Sequence, residues 1–216
     1  MSEVKILGLG HPRTGTGYTA TVLNKWGFEI GHEDPKPDGI VSWTLIQEWQ
    51  PKVRVLENTK HKSAFFEMGK AYDWKRPTYD TLIYNVRNPT SSIPSLVHTV
   101  RKRGIIKYLK KLGSEFKSEN PIENWIQSII HFNNVIINLN PDIIYRIEDQ
   151  EEFLYNELRK KYDFLPDYQA HQQIENARPH PSFKATVEQF GPPQPPYVDL
   201  INTYCDNYNY PRVNFS

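Results

Sequence analysis

Short apolar runs along the chain predict strands that are buried on both faces. They are rich in Ile, Val, Leu and Tyr, lie between turn residues, and cover Val4–Leu9, Phe28–His32, Thr81–Val86 and Asp142–Ile147. Val53–Glu57 is a further candidate strand. Continuous apolar runs of this length are typical of parallel strands that are covered by helices on both sides.

Helical patterns follow these runs. Thr16–Trp26 comes after a glycine-rich stretch, and Thr90–Arg101 follows Asn88 and Pro89, a suitable N-cap and first helical residue. Pro121–Asn138 carries most of its isoleucines on one face, and Tyr197–Tyr208 is the last helical segment. Strands that alternate with helices predict an α/β fold of three layers, with a mainly parallel central sheet flanked by helices.

The segment Ala177–Pro196 interrupts this pattern because it is rich in proline. Its prolines are Pro179, Pro181, Pro192, Pro193, Pro195 and Pro196. Proline disrupts helix interiors and central strands, so we expect a loop without a regular helix here. Such a loop would act either as a lid or as a stiff connector to the last helix.

Length and charge restrict the classes of protein that remain. A chain of 216 residues is expected to form a single domain over residues 1–216, and its net charge of +1 gives no reason to expect a nucleic-acid partner or bulk membrane binding. The single cysteine, Cys205, excludes an intramolecular disulfide. Without a secretory leader or a transmembrane stretch in the sequence, we expect a soluble cytoplasmic protein.

The stretch from Gly10 to Tyr18 carries the strongest functional signal. It reads Gly-His-Pro-Arg-Thr-Gly-Thr-Gly-Tyr and connects the first strand to the first helix. A glycine-rich turn before a helix directs backbone N–H groups and the positive end of the helix dipole toward one point, which favours an anion. The alternative is a tight turn that binds no ligand.

This loop differs from the phosphate-binding loop of ATPases and GTPases. Gly10 and Gly15 have the spacing of that motif, but Thr16 occupies the lysine position and Gly17 the position of the Mg²⁺-binding hydroxyl. The basic residue is instead Arg13, inside the loop. The pattern therefore argues against an ordinary ATPase or GTPase.

A second basic element follows the strand Thr81–Val86. Arg87 would lie at the carboxyl end of a parallel strand, where open α/β sheets bind ligands, and Ser95 follows about two helical turns later. An arginine and a hydroxyl in this arrangement can share a phosphate. The alternative for Arg87 is a structural ion pair. A third patch is Ile144–Asp149, a strand that ends in charged residues.

Together these motifs resemble those of sulfotransferases that use 3′-phosphoadenosine-5′-phosphosulfate (PAPS). Pro12–Thr16 is similar to the loop that binds the 5′-phosphosulfate, and Arg87, Asn88, Pro89 and Ser95 match the family's 3′-phosphate element in residue type and spacing. Tyr145–Asp149 resembles a later strand end of the family. The resemblance covers residues 4 to about 150 and lacks a counterpart of the glycine-rich segment that caps the cofactor.

The resemblance implies a P-loop NTPase-like sulfotransferase fold, PAPS as co-substrate, 3′-phosphoadenosine-5′-phosphate (PAP) as product, and no metal. The implied nucleotide-binding residues are Pro12, Arg13, Thr14, Gly15, Thr16, Gly17, Tyr18, Arg87 and Ser95. It also implies an acceptor hydroxyl on a carbohydrate or other small molecule. Sulfuryl transfer depends mainly on positioning and charge stabilisation, a role that suits Arg13 and the loop N–H groups.

A base must accept the proton of the acceptor hydroxyl. Glu33 is the favoured candidate and His32 its rival, because both follow the second predicted strand beside the loop; His61 and His98 are further candidates. Two other functions stay open, a nucleotide kinase or hydrolase with a degenerate loop and a non-catalytic nucleotide-binding protein. The acceptor and the oligomeric state are also open.

Two further groups of residues have two interpretations each. A basic group is either a solvated helix face or a site for an anionic acceptor; it comprises Arg101, Lys102, Arg103, Lys107, Lys110 and Lys111. Trp43, Trp49 and Trp74 either line an acceptor pocket or pack in the core.

Overall fold

The central element of the fold is a parallel β-sheet. The computed structural model describes residues 3–33, 36–43, 78–100, 106–107, 109–110, 113–171 and 179–215. The strands are β1 (Glu3–Leu9), β2 (Ile30–His32), β3 (Gly39–Ser42), β4 (Thr78–Val86) and β5 (Ile143–Arg146), in the sheet order β2-β3-β1-β4-β5. Every neighbouring pair is parallel, so all of these strands end at the same edge of the sheet.

Three of the described helices begin where sequence signals place them. They are α1 (Thr16–Lys25), α2 (Pro89–Thr99), α3 (Pro121–Ile137), α4 (Glu151–Arg159), α5 (Phe183–Phe190) and α6 (Pro195–Asn207). The side chains of Asn88 and Asn120 cap α2 and α3 by accepting hydrogen bonds from backbone N–H groups, and proline follows each cap. The predicted starts of α1, α2 and α3 are therefore confirmed.

Alternate residues of the strands face two separate hydrophobic layers. Leu7, Leu82 and Tyr84 pack on the side of α2, α3 and α6. Ile6 and Ile83 pack on the opposite side, with α1 and α4. Both faces of the sheet are thus covered, which confirms the predicted three-layer α/β fold and explains why the strands read as continuous apolar runs.

The prediction that 177–196 contains no regular helix is wrong, because α5 lies within it. Ser182 caps α5 by accepting a hydrogen bond from the Ala185 N–H (3.1 Å), and Gly191, with φ of 78°, ends it. The prolines flank the helix at Pro181 and Pro192 and leave its interior free. Proline is disruptive inside a helix but compatible with the residues just outside it, so these prolines mark the ends of α5.

Two further elements, β3 and α4, were not predicted from the sequence, and α6 begins earlier than predicted. The four residues of β3 are fully buried between β2 and β1, but their apolar run is too short to stand out. Helix α4 was also missed, and α6 begins at Pro195, two residues before the predicted start. The candidate strand Val53–Glu57 lies outside the described residues. None of the helices in the described ranges is both long and apolar enough to cross a bilayer.

Candidate functional site

The loop between β1 and α1 contains a tight turn from His11 to Thr14. The Thr14 N–H donates a hydrogen bond to the His11 carbonyl (3.0 Å), which closes the turn. Proline at the second position and a positive φ at the third, 69° at Arg13, are the features of a type II turn. Glycine usually takes that third position, since a left-handed conformation costs other residues roughly 1–2 kcal/mol.

Two glycines allow the loop to pack closely. A Cβ on Gly10 would lie 2.6 Å from Thr14 Oγ1 and 2.5 Å from Asn85 Nδ2. Gly15 has φ of 88°, and a Cβ there would lie 2.6 Å from Ile147 Cδ1. The glycine spacing that drew attention to the motif is therefore required by contacts with the ends of β4 and β5.

The first turn of α1 presents backbone N–H groups that have no partner within the helix. Gly15 is the N-cap and offers no side chain to cap the helix. The first helical hydrogen bond runs from the Thr19 N–H to the Gly15 carbonyl (2.9 Å), so the N–H groups of Thr16, Gly17 and Tyr18 precede it. Together with the helix dipole they form a favourable site for an anion.

The two basic motifs of the sequence meet at this helix. The Arg13 Nε donates to Ser95 Oγ (2.8 Å), and the Arg87 Nη1 donates to the Arg13 carbonyl (2.8 Å). Ser95 is fully buried. Because β4 pairs directly with β1, residues far apart in sequence come together where these strands end.

Glu148 adjusts the charge around Arg87. Burial lowers the pKa of the Arg87 guanidinium, and the negative charge of Glu148 opposes this effect. Glu148 accepts hydrogen bonds from the Asn88 N–H (2.8 Å) and from the Tyr210 hydroxyl (2.8 Å). Arginine keeps its proton at any physiological pH, so Arg87 supplies a fixed, partly desolvated cation.

Arg146, the cation of the third motif, has a structural role. Its Nε and Nη2 bind Asp149 as a fork (2.9 and 2.6 Å), and its Nη1 donates to the carbonyls of Tyr208 and Asn209. The guanidinium also lies over the Tyr210 ring, 5.6 Å from its centroid. Arg146 therefore attaches the segment that follows α6 to the end of β5.

His32 lies directly against the first turn of α1. Its Nε2 is 3.2 Å from Thr16 Oγ1, and a Cβ on Gly17 would lie 3.4 Å from its Cε1. The imidazole is 45% exposed, and its burial lowers the pKa below the usual 6.5. A mainly neutral imidazole with access to solvent therefore lies beside the anion-binding end of α1.

Glu33 uses both carboxylate oxygens to hold the end of β3. Oε2 accepts a hydrogen bond from the Ser42 hydroxyl (2.5 Å), and Oε1 accepts one from the Trp43 N–H (3.1 Å). Oε1 is also 3.7 Å from His32 Nε2. Glu33 has φ of 60°, a left-handed conformation directly after β2. The carboxylate thus has a structural task besides any chemical one.

The remaining loop residues make contacts within the protein. The Tyr18 hydroxyl donates to Glu151, and burial together with this carboxylate raises its pKa. The Thr14 hydroxyl donates to the His11 carbonyl (2.6 Å), and the Pro12 carbonyl accepts a hydrogen bond from His11 (2.9 Å). The Thr14 N–H also closes the turn, so the anion-binding N–H groups start beyond it.

Several other candidates lie elsewhere. His98 contacts Thr186 Oγ1 (3.0 Å) and the Phe190 ring, so it packs α2 against α5. Trp43 packs against the core. Lys107 and Lys110 are exposed. The candidates outside the described residues are His61, Trp49, Trp74, Arg101, Lys102, Arg103 and Lys111.

Two residues of the site were missed from the sequence. Asn85, fully buried, donates from Nδ2 to the Thr14 carbonyl (3.0 Å), and His11 is buried beneath the turn. Asn85 and His11 support the loop through contacts that form only in the folded protein, so the sequence alone does not reveal them. Within the described part of the chain, no group of three or more His, Cys, Asp and Glu side chains is arranged to hold a metal ion.

Comparisons with known proteins give a distant structural likeness. No family model matches the sequence, and no curated protein matches it. The structure is similar to the crystal structure of the mouse sulfotransferase SULT7A1 complexed with PAP, at 15% identity, with 95% of this chain and 86% of that chain covered and a TM-score of 0.39. The function therefore has to be inferred from the residues of the site.

The contacts of Glu33 predict a loss of stability when the carboxylate is replaced. In Glu33→Gln, the charge-assisted hydrogen bonds from the Ser42 hydroxyl and the Trp43 N–H become neutral, and the hydroxyl has to accept from the amide nitrogen instead of donating. We expect the free energy of unfolding in urea to fall by about 1–3 kcal/mol. The matched control is Glu29→Gln on the exposed surface, which should change it by less than about 0.5 kcal/mol. Equal effects of the two substitutions would contradict the structural role of Glu33.

Proposed function

We propose that this chain is a PAPS-dependent sulfotransferase that moves a sulfuryl group to a hydroxyl of a carbohydrate or other small molecule. The observation that carries the proposal is the convergence of Arg13, Arg87 and Ser95 at the uncapped start of α1. A donor with phosphate groups at two positions needs two anion sites close together. Both motifs resemble those of PAPS-dependent enzymes, so we assign the 5′-phosphosulfate to the first site and the 3′-phosphate to the second.

In this proposal the loop and α1 bind the 5′-phosphosulfate. The N–H groups of Thr16, Gly17 and Tyr18 face the phosphate, with Arg13 as the nearby cation. Arg87 binds the 3′-phosphate, for which the rigid fork of donors on arginine is well suited, and the fully buried Ser95 borders this site through its contact with Arg13. Ser95 and Arg13 contact one another, so the two phosphate sites would share a border.

The transfer step then uses charge stabilisation and one base. The acceptor oxygen forms a bond to sulfur while the bond from sulfur to the phosphate oxygen breaks, and PAP leaves. Arg13 and the helix N-terminus stabilise the negative charge that develops on the leaving phosphate. The hydroxyl proton goes to a base beside the loop.

Between the two candidate bases, the contacts favour His32. Its imidazole is mainly neutral, partly exposed and adjacent to Thr16, whereas both Glu33 oxygens accept hydrogen bonds from Ser42 and Trp43. Glu33, with Oε1 3.7 Å from His32 Nε2, would stabilise the imidazolium that forms on proton transfer. Glu33, the base favoured from the sequence, thus becomes the partner of His32 in this proposal.

The two rival functions require different residues at the site. A kinase or nucleotide hydrolase needs a cation at Thr16 and a metal-binding hydroxyl at Gly17, and the chain has neither residue there. A non-catalytic nucleotide-binding protein would keep both phosphate sites without turnover.

Cys205, buried and unpaired, is compatible with the cytoplasm, which we propose as the compartment.

Arg87→Ala should remove discrimination for the 3′-phosphate. Loss of a charge-assisted, forked contact is worth about 1.5–3 kcal/mol, or roughly tenfold to a hundredfold in affinity. We expect calorimetry to show that the preference of the protein for PAP over adenosine 5′-phosphate falls by this factor. Affinity for adenosine 5′-phosphate itself should change much less.

The control for this experiment is Arg159→Ala, which removes an exposed arginine at the end of α4. It should leave the preference for PAP unchanged. If Arg87→Ala keeps the full preference while folding normally, Arg87 does not bind the 3′-phosphate, and the second motif has been misassigned.

A neutral His32 as the base predicts a specific pH dependence. Because burial lowers its pKa below 6.5, kcat/KM for transfer of labelled sulfate should be constant at neutral pH and fall tenfold per unit below that pKa. His32→Gln should reduce kcat by about 10²–10⁴-fold and abolish this pH dependence. A variant that retains both the rate and the acid limb would exclude His32 as the base.

A further inference from the structure

The turn that carries Arg13 requires a backbone conformation that arginine does not favour. Type I and type II turns differ by a flip of the central peptide, here the one between Pro12 and Arg13, and only type II needs a positive φ at the third residue. Arg13 adopts that φ, 69°, without being a glycine. A contact that holds the Pro12 carbonyl in one orientation would offset the cost.

His11 makes such a contact from inside the protein. The side chain is only 2% exposed, and its Nδ1 lies 2.9 Å from the Pro12 carbonyl oxygen. Its Nε2 lies 2.9 Å from Ser128 Oγ on α3, which is in turn 3.0 Å from Ser114 Oγ. The loop is therefore connected to α3 through a line of buried hydrogen bonds.

The direction of these hydrogen bonds follows from the atoms involved. A carbonyl oxygen can only accept, so Nδ1 carries the proton and donates it to Pro12. Nε2 is then bare and accepts from the Ser128 hydroxyl, which itself accepts from Ser114. Burial against Phe132, with centroids 4.7 Å apart, lowers the pKa of His11 to about 3, so the ring stays neutral with one N–H.

We propose that His11 is a positioning residue for the nucleotide site. Its Nδ1–H holds the Pro12 carbonyl in the type II orientation and thereby keeps Arg13 in the left-handed conformation that places its guanidinium on Ser95. The proposal rests on the proposed function for the identity of the ligand, but the contact between Arg13 and Ser95 is a property of the protein without nucleotide.

Two substitutions separate this role from simple packing. In His11→Asn the amide nitrogen replaces Nδ1 and can still donate to Pro12, whereas in His11→Gln the longer side chain replaces Nε2 and can still contact Ser128. Both lose the ring and should lower the thermal midpoint by similar amounts. We expect His11→Gln to weaken PAP binding at least tenfold, and His11→Asn to restore it to within about threefold of the unsubstituted protein.

Ser128→Ala is the matched control, because it removes the Nε2 partner without touching the bond to Pro12. It should lower stability and leave PAP affinity unchanged. The proposal is overturned if His11→Gln and His11→Asn bind PAP equally well at equal stability, or if Ser128→Ala weakens binding as much as His11→Gln.

A readout without nucleotide keeps this test separate from the proposed function. NMR of the ¹⁵N-labelled protein should show the Nδ1–H tautomer of His11 and slow hydrogen exchange at Arg13 Nε–H, which donates to buried Ser95. That protection should be lost in His11→Gln and kept in His11→Asn. An Nε2–H tautomer, or equal protection in both variants, would refute the positioning role. Failure of the unsubstituted protein to bind PAP would refute only the function.

Discussion

The parallel pairing of β1 with β4 is the constraint on which the rest of the site depends. Leu9 lies opposite Tyr84 in the register, so Gly10 and Asn85 emerge side by side at the same edge of the sheet. The loop that follows β1 and the arginine that follows β4 must then occupy one region. The hydrogen bond from Arg87 to the Arg13 carbonyl is the direct result of this pairing.

Charge gives this region its chemical character. The Arg87 guanidinium donates to the Arg13 carbonyl in the loop that leads into the uncapped start of α1, and the Glu148 carboxylate partly compensates its charge. Partly desolvated cations interact strongly with an incoming anion because solvent screens them less. A small region of this kind suits a ligand that has more than one phosphate and binds without a metal. Binding without a metal is the property that distinguishes the proposed donor from ATP.

Local sequence signals were sufficient for much of this picture. The N-cap at Asn88, the start of α3 at Pro121, the glycines of the loop and the spacing from Arg87 to Ser95 act within one element, so they can be read from the chain. The short strand β3 and the helix α5 could not be predicted in this way. The strand depends on its burial between β1 and β2, and the helix depends on its prolines lying just outside its ends. His11 looked like an ordinary loop residue, and only its packing on α3 reveals the contact with Ser128. Glu33 was chosen for its chemistry, while its hydrogen bonds to Ser42 and Trp43 depend on the unpredicted β3.

A calorimetric comparison of PAP with ATP and Mg²⁺ tests the central claim most directly. Arg13 and Arg87 lie close together at the loop, and Thr16 and Gly17 stand where a metal-dependent loop has its lysine and hydroxyl. We therefore predict that PAP binds without any metal and at least tenfold more tightly than ATP with Mg²⁺, a difference of about 1.4 kcal/mol. Tighter binding of ATP, and only in the presence of Mg²⁺, would contradict the account.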